Sequence, residues 1–203
     1  MHKKKLLAFS RNGAYNLGGA ERSLLREITS SEFEAVDLMY ALQPKNETNR
    51  LELPNTPLIN DTPIQRCHLF SRFFYYEYML NRNIIKEVIR SSEFDVLIAQ
   101  NRWAPIAILS AVERGKEAIY YLRDETSLGI IKNYYSGNKL FAKSIYMMME
   151  SPGHLLFRKE NVLALRKATS VIANSHFMAQ RLWDMYRVEA QVFHPKIDEE
   201  LLL

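Results

Sequence analysis

The residues best placed by type and spacing to do chemistry are Asn16-Leu17-Gly18-Gly19-Ala20-Glu21-Arg22. Two adjacent glycines stand between an apolar run, Lys3 to Phe9, and a stretch in which Leu24, Leu25 and Ile28 recur at helical spacing. With Ser10, Asn12 and Gly13 ending the run, the pattern predicts a strand-to-helix turn. At the carboxyl edge of a parallel sheet, such a turn aims bare backbone amides and the positive end of a helix dipole into a crevice suited to an anion. A missing Cβ lets a phosphate or sugar approach the backbone closely. The same glycines also read simply as the shape of a tight turn, and the residues alone leave both readings open.

Other chemistries fail on spacing. Gly13 and Gly18 have the outer spacing of a nucleotide P-loop, but Gly19 and Ala20 stand where Lys and Ser or Thr are required, which argues against an ATPase or kinase. The three glycines also miss the G-x-G-x-x-G spacing of a dinucleotide site. Cys67 adjoins His68, but neighbouring side chains on one element diverge, so the pair makes a poor catalytic dyad. His2, His68, His154, His176 and His194 lack metal-ligand spacing, and no bound metal is expected. The net charge of +4 fits anionic substrates or an anionic membrane face, and without a basic stripe or motif it gives no case for nucleic acid.

The elements that must position these residues follow from pattern. At 203 residues, 47% hydrophobic and 25% charged, the chain has ordinary globular chemistry and enough length to bury a core. Phe33 to Leu42 reads as a second strand with Val36, Leu38 and Tyr40 on one face. Lys45 to Pro63, punctuated by prolines, reads as an irregular loop with at most a short strand. Phe70 to Ile89 is an aromatic-rich helix, read either as a core helix or as the wall of an acceptor pocket or a lipid contact.

Beyond it a strand-helix unit repeats. Phe94 to Gln100 is a buried strand, Trp103 to Arg114 a helix capped by Gly115, and Ala118 to Leu122 another buried strand. Thr169 to Ala173, a helix Phe177 to Tyr186 capped by Ser175, and Ala190 to Phe193 complete the series. Short joins between parallel strands mean right-handed crossovers, so the fold class is α/β, a doubly wound parallel sheet with its crevice at the strands' carboxyl ends.

Between about 130 and 167 lies a basic and aromatic helical excursion. It is read as two helices, Leu140 to Met149 and Leu155 to Ala168, separated by Ser151-Pro152-Gly153. Seven cations face two carboxylates there, with Tyr146 to Met149 as soft apolar bulk. The region reads as a solvated excursion on the sheet or as peripheral contact with an anionic bilayer or lipid-linked acceptor. A lone cysteine points to a reducing compartment. The four-residue apolar run after the basic start is too short for a secretion signal, and no stretch is long enough to span a bilayer, so a cytoplasmic protein is expected.

NLGGAER after a first strand, FDVLIAQN, AIYYLRDE, ATSVIANSHFMAQRLWDMY and VFHPKID resemble, in order, landmarks of the amino-terminal half of a family-4 glycosyltransferase of the GT-B type. The resemblance runs from about Lys4 to Asp198. It implies a single Rossmann-like domain over 1–203 that chiefly binds the acceptor, with the donor-binding carboxyl-terminal domain absent. It also implies sugar transfer from a nucleotide-diphosphate-sugar to a glycan or lipid-linked acceptor, without a cofactor or protein-bound metal, in a setting such as surface-polysaccharide synthesis at the inner face of the membrane. A stand-alone sugar- or nucleotide-binding module and a membrane-associated interaction protein are the alternatives.

Carried over residue by residue, Gly18 and Gly19 match the loop that approaches the donor diphosphate and transferred sugar. Arg123 and Asp124 follow the strand where the family commonly has a histidine and an acidic neighbour. Arginine in place of histidine argues against a proton role at 123 and leaves a guanidinium able to pair with phosphate or carboxylate. Asp124 is the candidate to orient an acceptor hydroxyl or act as a base, or else it pairs locally. Asn101, Arg102, Asn174 and Ser175 end the flanking strands and would line the same edge, Ser175 also being a natural helix cap.

Overall fold

Lys5–Phe9 (β1) has no polar side after its first residue, and Leu6, Leu7, Ala8 and Phe9 are all buried. A strand of this kind is stable only where helices cover both faces of a parallel sheet. The structure, a computed structural model, describes residues 4–11, 24, 28, 33, 35–40, 59–64, 67–68, 73–123 and 140–194, without the side chains of 35, 59, 61 and 140–143. Its further strands are Ala35–Tyr40 (β2), Ile59–Pro63 (β3), Val96–Gln100 (β4), Glu117–Leu122 (β5), Ser170–Ala173 (β6) and Gln191–Val192 (β7). The helices Phe74–Ser91 (α1), Ala104–Glu113 (α2), Leu140–Lys167 (α3) and His176–Tyr186 (α4) connect them. All seven strands among the described residues are parallel, in the order β3-β2-β1-β4-β5-β6-β7.

The winding follows from this order. From β1 the chain steps outward to β2 and β3, then returns through α1 to the other side of β1 and steps outward again to β7. Crossovers of one hand that move in opposite directions must lie on opposite faces. The two cores show it. Leu7 and Phe9 pack with residues of α1, α2, α3 and α4, whereas Leu6 and Ala8 pack with Leu24, Ile28, Val36, Leu38 and Tyr40. Leu24 and Ile28 are helical and fully buried, so the segment after the glycines does cover the second face at these positions.

The short polar strand β3 is tolerated because it is an edge, where Pro63 needs no ladder partner on its outer side. Gly115 takes a left-handed φ of 69° at the end of α2, and the Lys116 N–H turns back to Ala111 O at 3.0 Å.

One expectation is overturned. Leu140 to Lys167 is a single helix of 28 residues, with Pro152 inside it, and not two helices broken at Ser151-Pro152-Gly153. Proline removes one backbone donor, and the Ser151 hydroxyl donates one turn earlier, to Met147 O. Gly153 meets α1 so closely that a Cβ there would lie 2.0 Å from Tyr75 O. The three residues are therefore a packing notch, which local pattern reads as a break.

Around that notch α1 and α3 run side by side. Tyr75 packs edge-on to His154 and beside Phe157, and Tyr78 packs edge-on to Phe157. The Tyr78 hydroxyl donates to Glu160 at 2.5 Å, Arg82 pairs with the same carboxylate, and Tyr120 of β5 donates to Asn161 at 2.7 Å. Burial and Glu160 together hold the Tyr78 phenol well above its ordinary pKa.

Candidate functional site

In an open parallel sheet, ligands bind beyond the carboxyl ends of the strands where the winding reverses. Here that point lies between β1 and β4. Ser10 and Arg11 leave β1 there, and Gln100, Asn101 and Arg102 leave β4. The Ser10 hydroxyl accepts from Gln100 Nε2 and Asn101 Nδ2, each at 3.0 Å, tying the two strand ends together. Asn101 has φ 61°, a left-handed turn that asparagine tolerates better than most side chains. Arg11 binds Glu77, in the first turn of α1, by donating from Nε and Nη2 to its two carboxylate oxygens, at 2.7 and 3.0 Å. The helix is thereby fixed to the same edge.

The other predicted positions line up along this rim. The register Gln100↔Tyr121 and Leu122↔Ala173 sets Arg123 beside Asn174, whose Nδ2 donates to Arg123 O at 2.8 Å. Ser175 caps α4, its hydroxyl accepting from Met178 N at 3.3 Å. The Arg102 guanidinium lies 3.3 Å over the Phe74 ring, and that of Arg123 lies 3.9 Å over Tyr121. Asn101, Arg102, Arg123, Asn174 and Ser175 thus share one edge, and the contacts named here are with other parts of the fold. Gly18, Gly19 and Asp124 lie outside the described residues.

Arg11, Arg102 and Arg123 stand at three strand ends, Arg11 with its charge met by Glu77, and both Glu77 and Glu150 are fully buried. Glu150 of α3 accepts the Tyr75 amide at 2.7 Å, so it caps α1 across the interhelical gap, where Phe73 has no side-chain cap to offer. Burial raises its pKa, opposed by the Tyr75 and Tyr76 amides and by Arg102.

Pattern reading missed Ser10, Gln100, Glu77 and Glu150. A polar pair ending two apolar strands was the available signal for Ser10 and Gln100, and nothing local marks the two carboxylates. Cys67 is half-buried, and burial, with Glu77 adding to it, pushes its thiol up to about 11, away from the thiolate form that nucleophilic cysteines need. Among the described residues no three His, Cys, Asp or Glu side chains gather as a metal site. A hollow of about 540 Å³ lined by His176, Trp183 and Val192 lies along β7, at the sheet's far edge from the reversal point.

The arrangement defines an α/β protein with a Rossmann-like, doubly wound parallel sheet of the kind found in GT-B glycosyltransferases. Among solved structures, the chain is similar to a sucrose-phosphate synthase from Thermosynechococcus elongatus (TM-score 0.56, 11% identity, covering 95% of this chain and 47% of that one). It is similar also to a UDP-glucosyltransferase from Polygonum tinctorium (TM-score 0.55, 11% identity, 96% and 52%). A third is Phytolacca americana UGT2, solved with UDP-2fluoro-glucose and pterostilbene (TM-score 0.54, 11% identity, 98% and 55%). The chain therefore spans about half the length of these proteins. No family model matches the sequence, and no curated protein is similar to it at the sequence level.

Proposed function

We propose that this chain is the acceptor-side half of a family-4-like GT-B glycosyltransferase. In this reading a sugar passes from a nucleotide-diphosphate-sugar to a glycan or lipid-linked acceptor, in a setting such as surface-polysaccharide synthesis at the inner face of the cytoplasmic membrane. The observation that carries it is the superposition of nearly the whole chain on about half of nucleotide-sugar transferases, with Arg102 and Arg123 at the carboxyl ends of the strands, the edge where open parallel sheets bind ligands. The connection holding Gly18 and Gly19 leaves β1 at that rim, so its amides are candidates to face the donor diphosphate. Arg123 would offset leaving-group charge, and Asp124 would orient the acceptor hydroxyl. No metal or organic cofactor is required by this scheme, and the donor's remaining contacts would come from a second domain.

Joined to such a donor-binding domain, Gly19→Leu is expected to lower kcat/KM about 100-fold with little change in Tm. Steady-state kinetics beside a thermal melt tests this, and an unchanged rate overturns the assignment. Calorimetric titration of the 203-residue chain with UDP-glucose separates the alternative. Weak binding fits a half-site, whereas tight binding would favour a stand-alone sugar- or nucleotide-binding module.

A further inference from the structure

The charges of α3 are sorted by face. Its two carboxylates, Glu150 and Glu160, are buried, the first against the amino end of α1 and the second against Tyr78 and Arg82. From residue 144 to 167 every exposed ionised side chain is a cation: Arg158, Lys159, Arg166 and Lys167. On the same outward side stand Ile145, Met148, Leu155 and Leu163, of which Met148 is 71% and Leu155 68% exposed. Steps of three, seven and eight residues keep these four on one stripe of an α-helix, and Lys159 and Arg166 fall on it too. The stripe is about 27 Å long at 1.5 Å per residue. No helix among the described residues is long and apolar enough to cross a membrane.

We infer that α3 lies flat on an anionic bilayer, with the four apolar side chains entering the headgroup boundary and Lys159, Arg166 and Lys167 meeting lipid phosphates, while Arg158 is turned toward the Tyr186 hydroxyl. A long helix with an apolar stripe and cationic flanks binds an interface through apolar burial and attraction to anionic lipid together. A second copy of the chain is a poorer occupant, because it would set the same cations against each other. The inference rests on α3 alone and does not require sugar transfer.

Co-sedimentation of the full 203-residue chain with vesicles tests it. Binding is expected to phosphatidylcholine vesicles containing about a third phosphatidylglycerol, to weaken as salt rises, and to be slight on phosphatidylcholine alone. Met148→Glu with Leu155→Glu, and separately Lys159→Glu with Arg166→Glu, should each reduce the bound fraction about tenfold or more. Lys159→Arg should keep it. Since these side chains are exposed, circular dichroism and thermal melts should show the fold retained. Equal binding to both vesicle types, or undiminished binding by both double variants, overturns the inference. So does light scattering that finds a dimer made monomeric by Leu155→Glu. Failure here would remove the membrane setting of the proposed function and leave sugar transfer itself to the nucleotide-sugar titration, so the two failures are distinguishable.

Discussion

At Gly153 a hydrogen in place of a side chain decides how near two helices come. A Cβ would stand 2.0 Å from Tyr75 O and 2.9 Å from Tyr76 N, and backbone atoms cannot swing aside as a side-chain end can. Gly153→Ala is therefore expected to destabilise the protein by about 1 to 3 kcal/mol in urea unfolding. Helix propensity alone gives the opposite sign, since alanine favours a helix over glycine by about 1 kcal/mol. A raised urea midpoint would show that propensity wins and that the close approach relaxes. At this scale Ser175 was legible, because an N-cap is a local hydrogen bond. Glu150 and Glu77 were not, because their partners Tyr75 and Arg11 are more than 60 positions away in the chain.

Helix α1 depends on α3 for its first turn. Phe73 supplies no cap, and Glu150 accepts the Tyr75 amide instead. Burial is the largest influence on that carboxyl and raises its pKa above the ordinary 4.5. A raised carboxyl pKa means the folded state holds its proton longer than the unfolded chain does. Stability from this group is thus full below about pH 4.5 and declines as pH rises through the folded pKa. Glu150→Gln keeps an acceptor for the amide and removes the buried charge. The Tm of the variant minus that of the native protein should be near zero at pH 4 and grow positive toward pH 7. A difference that is constant, or falls with pH, would contradict the role assigned to burial. The continuity of α3 belongs to this scale as well. Local pattern broke it at Pro152, whereas the notch against α1 and the pairs at Glu160 and Asn161 favour one helix.

Across the molecule, the reversal of winding at β1 matters most, because it brings residues distant in sequence to one rim. Arg11 is the tie between that rim and α1, with only 13% of its side chain exposed and Glu77 wholly buried. Arg11→Ala would leave the Glu77 charge buried without its bidentate partner, which costs about 3 kcal/mol. Global urea unfolding of this variant should show that loss, and an unchanged midpoint would mean the pair is only decorative. The sequence by itself determined the α/β class, since continuous apolar runs alternating with helical periods are buried in a parallel sheet covered by helices on both faces. It also determined which residues of β2 share one core, through the two-residue period of Val36, Leu38 and Tyr40, although Met39 on the opposite side is buried in the other core. Only the tertiary structure decided the order of the strands, the Ser10, Gln100 and Asn101 knot, the capping of α1 from α3 and the sorting of α3's charges by face. Those features depend on distances between remote segments, and hydrophobic periodicity specifies a face to bury without specifying the neighbour that buries it.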